Sequence, residues 1–376
     1  MLRQLEELWT YAQNIAASED KDPEPPEFTK ISKEKIRETV ESIDRKLSGS
    51  DTRPLDCKTI AEMYGVAGKK FQRQYKNRIS DYKTWKEKSH AQEWLIYPEN
   101  MSQSLSIDEV ALSSGELYTV VTSKKAKGKK GCLVAIIKET RAETVIEHLL
   151  KIDRKLRLSV KEITLDMAGS MKLIAKRCFS NAKRTIDRFH VQQLASEALQ
   201  EIRIKHRWKA IEQENDGILN ARKNKEIYQP ELCSNGDTRK QLLARSRHLL
   251  YKSSFHWTES QKERAQILFS KYPDIQNAYQ LTEDLRKVYH KKNTKEIAML
   301  KLARWYHQVE VSGFKSFAIL LKTFTIHYND ILNYFNHRST NASAESFNAK
   351  IKKFRSNFRG VRDRAFFLFR LQNIFA

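Results

Sequence analysis

The sequence lacks paired cysteines and long apolar runs. Four cysteines, Cys57, Cys132, Cys178 and Cys233, lie far apart and form no CxxC pair, which excludes a disulfide framework and a zinc ribbon. The start, MLRQLEELWTYAQNIAASEDK, carries acidic residues through its apolar stretch, and no apolar run reaches the length of a membrane span. We therefore expect buried thiols in a reducing cytoplasm, in a protein that is neither secreted nor membrane-bound.

Acidic residues are few relative to basic ones. Lys and Arg number 69 against 46 Asp and Glu, which gives a formal charge of +23. An excess of this size spread along the chain favours a polyanionic partner, with nucleic acid first and an ordinary basic surface as the alternative. The 376 residues, 40% of them hydrophobic, suffice for two or three domains with real cores.

The first 100 residues are predicted to form a helical DNA-binding region. Residues 31–47 have the apolar spacing of an amphipathic helix between the breaks EDKDPEPPEFTK and SGSDTRP. Residues 55–85 then favour a helix-turn-helix around Gly65, with Phe71 and Tyr75 facing inward; a helical hairpin with a solvated basic face is the alternative. The residues predicted to contact DNA from this unit are Lys69, Lys70, Arg73, Lys76 and Asn77.

From residue 104 the pattern changes to strands. SLSIDEVAL, ELYTVVTS and GCLVAIIKE are three short β-type runs separated by turns, which predicts an antiparallel meander. Helix AETVIEHLLKIDRKL, strand VKEITLDM, helix SMKLIAKRCF and strand KRTIDRF follow, as in crossover units with parallel strands. This order predicts an α/β fold with a ribonuclease H-like core, whose first part covers residues 101–190.

The rest of the chain is predicted to be helical. Residues 191–335 favour an all-helical insertion domain, with stretches such as RKQLLARSRHLLYK, QKERAQILFSKY, AYQLTEDLRKVYHKK and FAILLKTFTIHYNDILNYF. Residues 336–376 are then expected to form the C-terminal helical part of the core, with a helix from about Ala342 to Arg355.

Three carboxylates are the candidates for chemistry. Asp108 lies on the first strand of the meander, and Asp166 lies at the end of the fourth strand, so the predicted strand order puts them side by side. Two carboxylates at a sheet edge suit Mg²⁺ or Mn²⁺, and a third acid, Glu345, would complete a two-metal site for phosphoryl displacement. Glu109 is a rival for the first position.

Glu345 lies at the start of a predicted helix that has an apolar face and a basic face. Phe347, Ile351, Phe354 and Phe358 form its expected buried stripe. A basic track for phosphates is expected on an adjacent face, continuous with Glu345 and made of Asn348, Lys352, Arg355 and Arg359. Lys350 and Lys353 of the same helix are further candidates for DNA contact. Each acid also has a structural alternative: a strand-end surface residue for Asp108, a helix N-cap for Asp166, and a first-turn acid facing the helix dipole for Glu345.

Several segments resemble the DDE transposases of bacterial insertion sequences, specifically the ISL3 family. They are SIDEV, ITLDMAGS, IDRFHV, ILNYFNHRSTNASAESFNAKIK and FRGVRDRAFFLFRLQNIF, and they extend over roughly residues 104–376. The resemblance implies a ribonuclease H-like core with catalytic, metal-binding Asp108, Asp166 and Glu345, two Mg²⁺ ions that Mn²⁺ can replace, and a helical insertion before the Glu.

The resemblance also implies partners and a place of action. These are the terminal inverted repeats of a mobile element and its target DNA, in the nucleoid of the bacterial cytoplasm, with a homodimer or larger oligomer in the DNA complex. His190 in DRFHV is a candidate for supporting the active site or positioning DNA, with a purely structural role as the alternative.

The sequence departs from the family in two places. Family members usually begin with a cysteine-rich zinc-binding module that is not present, so we expect the helix-turn-helix to recognise the element ends without zinc. The motif also has Ala342 where a glycine is usual after Thr-Asn, which requires a helix-compatible turn and leaves the metal chemistry unchanged.

Three functions remain open on the sequence alone. The first is a transposase that cleaves element ends and transfers the strands; the second is a ribonuclease H-like nuclease without strand transfer; the third is a catalytically inactive, transposase-derived DNA-binding protein. In addition, Trp208, Trp257 or Trp305 of the insertion domain is a candidate for stacking on a flipped base, with a core position as the alternative.

Overall fold

The computed structural model describes residues 67–112, 115–290, 293–357 and 363–376. The helix expected at 31–47, the first helix of the helix-turn-helix, Cys57, Phe358 and Arg359 lie outside these ranges. The strands are β1 (Trp94–Ile96), β2 (Ser104–Ala111), β3 (Leu117–Ser123), β4 (Leu133–Lys138), β5 (Glu162–Leu165) and β6 (Lys183–Ile186).

The helices alternate with these strands and then follow them. They are α1 (Gly68–Gln74), α2 (Ala142–Leu149), α3 (Arg154–Leu158), α4 (Gly169–Cys178), α5 (Arg188–Lys223), α6 (Arg239–Arg245), α7 (Arg247–Tyr251), α8 (Glu259–Lys271), α9 (Pro273–His290), α10 (Lys295–Ser312), α11 (Lys315–Ile326), α12 (Tyr328–His337), α13 (Ala342–Asn357) and α14 (Arg364–Phe375). The protein is therefore a mixed α/β protein.

The six strands form one mixed sheet in the order β1-β4-β3-β2-β5-β6. The antiparallel meander predicted from the sequence is confirmed, because β2 pairs with β3 and β3 with β4 in antiparallel register. Asp108 lies opposite Val120 in this register. Strand β1 pairs antiparallel with β4 and adds an edge strand that the sequence analysis did not predict.

The described residues form two compact units. The first contains the described residues up to Ile163 together with those of Leu173–Ala182 and Asn341–Ala376, and the second contains those of Thr164–Lys172 and Lys183–Thr340. Asp108 and Glu345 therefore belong to the first unit, and Asp166 and His190 belong to the second. The first unit takes its C-terminal helices from residues that follow β4 by more than 200 positions in the sequence.

The core of the first unit is built from sheet residues and from both C-terminal helices. Phe347, Ile351 and Phe354 are fully buried on α13, as their three- and four-residue spacing predicts. Helix α14 is apolar around most of its circumference, with Phe366, Phe367, Leu368, Phe369 and Leu371 in the same buried cluster as Val120 and Ile136 of the sheet. This packing holds α13 against the strands.

The second unit is mainly helical. Between Ile186 and Asn341, its described elements are helices, apart from an isolated β-bridge between Leu232 and Thr238. Helices α6 and α8 each begin with a capping box, at Thr238 and Thr258, in which the side chain accepts from the backbone N–H three residues later. The stretches expected to be helical at 239–252 and 317–335 each contain two helices, which divide at Ser246 and His327.

The three cysteines in the described residues, Cys132, Cys178 and Cys233, are buried and reduced, as expected. Burial raises the pKa of the Cys132 thiol to about 12 and that of Cys178 to about 11. Neither thiol is therefore ionised near neutral pH, and both behave as small apolar side chains.

Candidate active site

Asp108 occupies a strand position that faces α13. Its Oδ2 accepts a hydrogen bond of 2.7 Å from Nδ2 of Asn348 on that helix, and its Oδ1 accepts one of 2.8 Å from the backbone N–H of Glu109. Successive side chains of a strand point to opposite faces, and Glu109 is exposed. Asp108 therefore contacts the helix that carries Glu345, and its rival Glu109 points to the opposite face of the strand.

Within the first unit, Asn348 links Asp108 on β2 to the helix that carries Glu345. Glu345 and Asn348 are three residues apart on α13, so their side chains share one face of the helix. The backbone N–H of Glu345 bonds to the carbonyl of Asn341 at 2.9 Å, which places Glu345 in the first helical turn. The hydrogen bond from Asn348 to Asp108 thus brings β2 to the same helix face as Glu345.

The orientation of the Asn348 amide follows from the chemistry of its partner. An ionised carboxylate only accepts hydrogen bonds, so the NH₂ group must face Asp108. Asn348 is 7% exposed, and its Oδ1 is a buried acceptor that has no hydrogen-bond partner among the described residues. Since a buried acceptor without a donor is costly, this oxygen is a candidate contact for a cation or a water molecule.

Asp166 lies in the second unit, directly after β5, and His190 lies next to it. The Nδ1 atom of His190 is 3.4 Å from Oδ1 of Asp166, and the backbone N–H of Met167 donates to the same carboxylate. His190 sits in the first turn of α5, where Asp187 caps the helix by accepting from the N–H of Phe189. His190 is therefore placed to orient the Asp166 carboxylate.

A second histidine of this region was not predicted from the sequence. His327, at the break between α11 and α12, has its pKa lowered from 6.5, first by burial and then by the charge of Lys172, while Asp330 and Asp166 act in the opposite direction. Asp330 is itself buried, 3.7 Å from Lys172 and 3.6 Å from Arg184. The only sequence signal was a histidine in an apolar helical stretch, which is more often structural.

The donor atoms match a hard divalent cation in type. Carboxylate and amide oxygens are the ligands that Mg²⁺ prefers, and the first unit offers Asp108, Glu345 and the buried Asn348 oxygen. Across the described part of the chain, however, no group of three or more His, Cys, Asp or Glu side chains is arranged to hold a metal ion. A metal site on the three acids is therefore a proposal, supported by donor chemistry.

The predicted DNA contacts of the N-terminal region divide into two groups. Lys69, Arg73 and Asn77 are exposed, on α1 and the π-helical turn Tyr75–Ile79 that continues it. Lys76 differs from the prediction: its ammonium pairs with Asp363 and lies 5.2 Å from the ring centre of Tyr82. Tertiary contacts with the C-terminal segment thus occupy Lys76. The Lys70 side chain lies outside the described residues.

The basic track predicted on α13 is shorter in the structure. Arg355 is 8% exposed, and its Nε and Nη2 atoms each donate a 3.2 Å hydrogen bond to the Glu116 carboxylate. Asn348 is buried against Asp108, as described above. Both residues depart from a phosphate-contacting surface because each is itself buried and bonds to an acidic side chain on a distant segment. Lys352 and Lys353 are exposed, and Lys350 is half-buried.

Of the three tryptophans considered for base stacking, Trp305 is buried and Trp257 is half-buried, and both are held by contacts within the protein. Trp305 is 1% exposed, and its indole N–H donates to the carbonyl of Leu281 at 2.8 Å. Trp257 donates to Leu249 O and packs against Tyr279. Trp208 on α5 is 60% exposed, so it remains the candidate for a stacking contact.

Comparison with known proteins identifies the class. A family model described as a transposase matches residues 105–371, a range that includes Asp108, Asp166, His190 and Glu345. Because the match covers more than half of the chain, the protein belongs to the ISL3 family of DDE transposases. None of the curated proteins matches the chain at a significant level.

Family membership implies an enzyme of the kind that cleaves and transfers DNA, and hence a protein that binds DNA. The net charge of +23 agrees with such a partner. Within the described ranges, no helix has both the length and the apolar character needed to span a lipid bilayer.

Proposed function

We propose that this transposase cleaves DNA at the terminal inverted repeats of its insertion sequence and transfers the freed 3′ ends into target DNA. Asp108, Asp166 and Glu345 are its catalytic carboxylates in this proposal, with Mg²⁺ as the metal and Mn²⁺ as a substitute. The observation that carries the proposal is the Asn348–Asp108 hydrogen bond, because it joins the first and last acidic segments of the family match in one unit.

The sheet order supports a ribonuclease H-like core. Three antiparallel strands, β4-β3-β2, are followed by β5 and β6, which is the order expected from the sequence. Strand β2 carries Asp108 and neighbours β5, the strand that Asp166 directly follows. The helices of residues 191–335, the proposed insertion, separate this part from Glu345.

Each side chain of the site has a separate role in this proposal. When bound, two Mg²⁺ ions would activate water or a DNA 3′-hydroxyl and stabilise the leaving oxygen. Asp108, Asp166 and Glu345 would hold these ions. Asn348 holds the Asp108 carboxylate, His190 orients Asp166, and Lys352 and Lys353 contact phosphates. The exposed residues Lys69, Arg73 and Asn77 contribute to end recognition together with the helix-turn-helix proposed for residues 55–85.

A joining assay tests the reaction. The full chain is incubated with Mg²⁺, a duplex that carries one element end, and a supercoiled target plasmid. We expect both 3′-nicked ends and end-to-plasmid joints. Nicked ends with no joints at any Mg²⁺ or Mn²⁺ concentration would indicate a nuclease without strand transfer, and salt-sensitive DNA binding with neither product would indicate an inactive DNA-binding protein. Gel filtration of the end complex tests the proposed homodimer or larger oligomer.

A further inference from the structure

The turn that joins β3 to β4 concentrates positive charge. We call residues 124–131, with the sequence KKAKGKKG, the lysine turn. Its exposed side chains are those of Lys125, Lys127, Lys129 and Lys130, and in the described residues none of the four forms an ion pair with an acidic side chain. Four like charges this close repel one another, and an anionic partner relieves that repulsion.

The backbone of the lysine turn is fixed by local contacts. A 3-10 turn over Lys124–Ala126 ends at Lys127 in the left-handed region, with φ 51°, and Gly128 follows with φ 72°. The N–H of Lys129 bonds to Ala126 O, and that of Cys132 to Lys129 O, each at 3.0 Å. A surface that is already ordered loses less conformational entropy on binding.

The lysine turn is attached to the helix that carries Glu345. Lys350 on α13 donates a 3.2 Å hydrogen bond from Nζ to the carbonyl of Gly128. A Cβ atom on Gly128 would lie 3.8 Å from the backbone oxygen of Ser343, two residues before Glu345 in the sequence. The lysine turn therefore packs against the first turns of α13, on which we place a catalytic carboxylate.

We propose that the lysine turn binds the phosphodiester backbone of duplex DNA beside the cleaved bond. The placement next to the reaction rests on the proposed function of Glu345, whereas binding of DNA by the turn does not. Lysine ammonium groups contact phosphates as point charges and carry no base-specific information. The turn contains only Lys, Ala and Gly, so it offers neither an aromatic ring for stacking on single strands nor an apolar anchor for a membrane.

A salt titration of DNA binding tests this proposal. The variant K125Q/K127Q/K129Q/K130Q is compared with K83Q/K86Q/K155Q/K161Q, which makes the same charge change at scattered exposed positions of the first unit. The dissociation constant for an element-end duplex is measured without Mg²⁺ from about 50 to about 200 mM salt. The logarithm of this dissociation constant rises with log [salt], and each lost phosphate contact lowers that slope by about 0.9.

We expect the lysine-turn variant to lower this slope by roughly 2 to 4 and the control to lower it by less than about 1. Equal slopes for the two variants would overturn the proposal. Binding of the lysine-turn variant to phosphatidylserine vesicles is measured in parallel. Loss of vesicle binding with DNA binding unchanged would also overturn it. The triple variant K125Q/K129Q/K130Q retains the left-handed Lys127 and should shift the slope in the same direction, which guards against misfolding of the turn.

The same experiment separates this proposal from the catalytic one. Binding is measured without metal, so a failure of the acid assignments leaves the slopes unaffected. A lowered slope together with undiminished cleavage in the acid variants would retain the DNA surface and remove the proposed chemistry. An unchanged slope together with loss of cleavage in the acid variants would remove the DNA surface and retain the proposed chemistry.

Discussion

The amide of Asn348 donates a 2.7 Å hydrogen bond to Oδ2 of Asp108 across 240 residues of sequence. The other carboxylate oxygen of Asp108 is held by the N–H of Glu109. With both oxygens restrained, the carboxylate has one preferred orientation. In our proposal this preorganises a metal ligand before DNA arrives.

The Asn348→Ala variant should therefore impair the metal step. We expect cleavage at a fixed Mg²⁺ concentration to fall by about 10- to 100-fold, because loss of a group that orients a metal ligand has effects of that size. Single-turnover cleavage is measured over a Mg²⁺ titration, and direct Mn²⁺ binding is followed by electron paramagnetic resonance.

A matched control is Asn100→Ala. Asn100 also uses its Nδ2, at 2.8 Å, but bonds to the carbonyl of Leu133, so its loss should affect stability without changing the Mg²⁺ dependence. Identical Mg²⁺ titrations for Asn348→Ala and the parent protein would contradict the role we assign to Asn348.

His190→Ala should lower the cleavage rate and leave DNA affinity unchanged. The imidazole Nδ1 is 3.4 Å from Asp166, so its removal frees the carboxylate to take other orientations. We expect the cleavage rate to decrease about 10-fold or more, which is the range found for groups that orient metal ligands. His190→Asn, which retains a side-chain nitrogen, should recover part of the rate; a cleavage rate equal to that of the parent in His190→Ala would show a structural role only.

The lowered pKa of His327 predicts a pH-dependent stability. Because burial and Lys172 hold this pKa below 6.5 in the folded protein, the unfolded chain binds more protons once the pH falls below about 6.5. Stability should therefore decrease as the pH falls from about 6.5 towards 5 and should not change through this group at higher pH. The measurement is the melting temperature of the parent and of His327→Gln across this range.

The slope of melting temperature against pH should be shallower in His327→Gln. His148, whose pKa is also lowered by burial and by Lys151, should retain part of the dependence, and a His148→Gln/His327→Gln double variant should flatten it further. Equal slopes for the parent and His327→Gln would contradict the prediction.

Replacement of Trp305 by alanine should lower the stability of the protein much more than replacement of Trp208. Trp305→Ala removes a fully buried indole and should cost about 3–5 kcal/mol. Trp208→Ala, at an exposed position, should change stability by less than about 0.5 kcal/mol. Denaturant unfolding measures both; if Trp208→Ala also leaves strand-specific cleavage unchanged, the stacking role is removed.

Local patterns predicted much of the fold. Strands β2, β3 and β4 followed from short β-type runs between turn residues, and the buried face of α13 followed from the spacing of Phe347, Ile351 and Phe354. These features depend on residues near one another in the sequence, so periodicity alone identifies them. The three-residue strand β1 was missed because its pairing with β4 provides the order that its own sequence does not.

The parts that were missed depend on distant partners. Arg355 has the helical position of a solvated residue, and its burial follows from Glu116, which lies 239 residues away. Lys76 was likewise expected to face DNA and is held by Asp363. The breaks at Ser246 and His327 interrupt continuous apolar periodicity, so no composition change marked them.

The most direct test of the central claim is metal-dependent cleavage of an element end by Asp108→Asn, Asp166→Asn and Glu345→Gln, with Glu109→Gln as the matched control. We expect each of the first three to abolish Mg²⁺-dependent cleavage while retaining DNA binding, and Glu109→Gln to cleave at close to the parent rate. Cleavage that survives in all three acid variants would contradict the account.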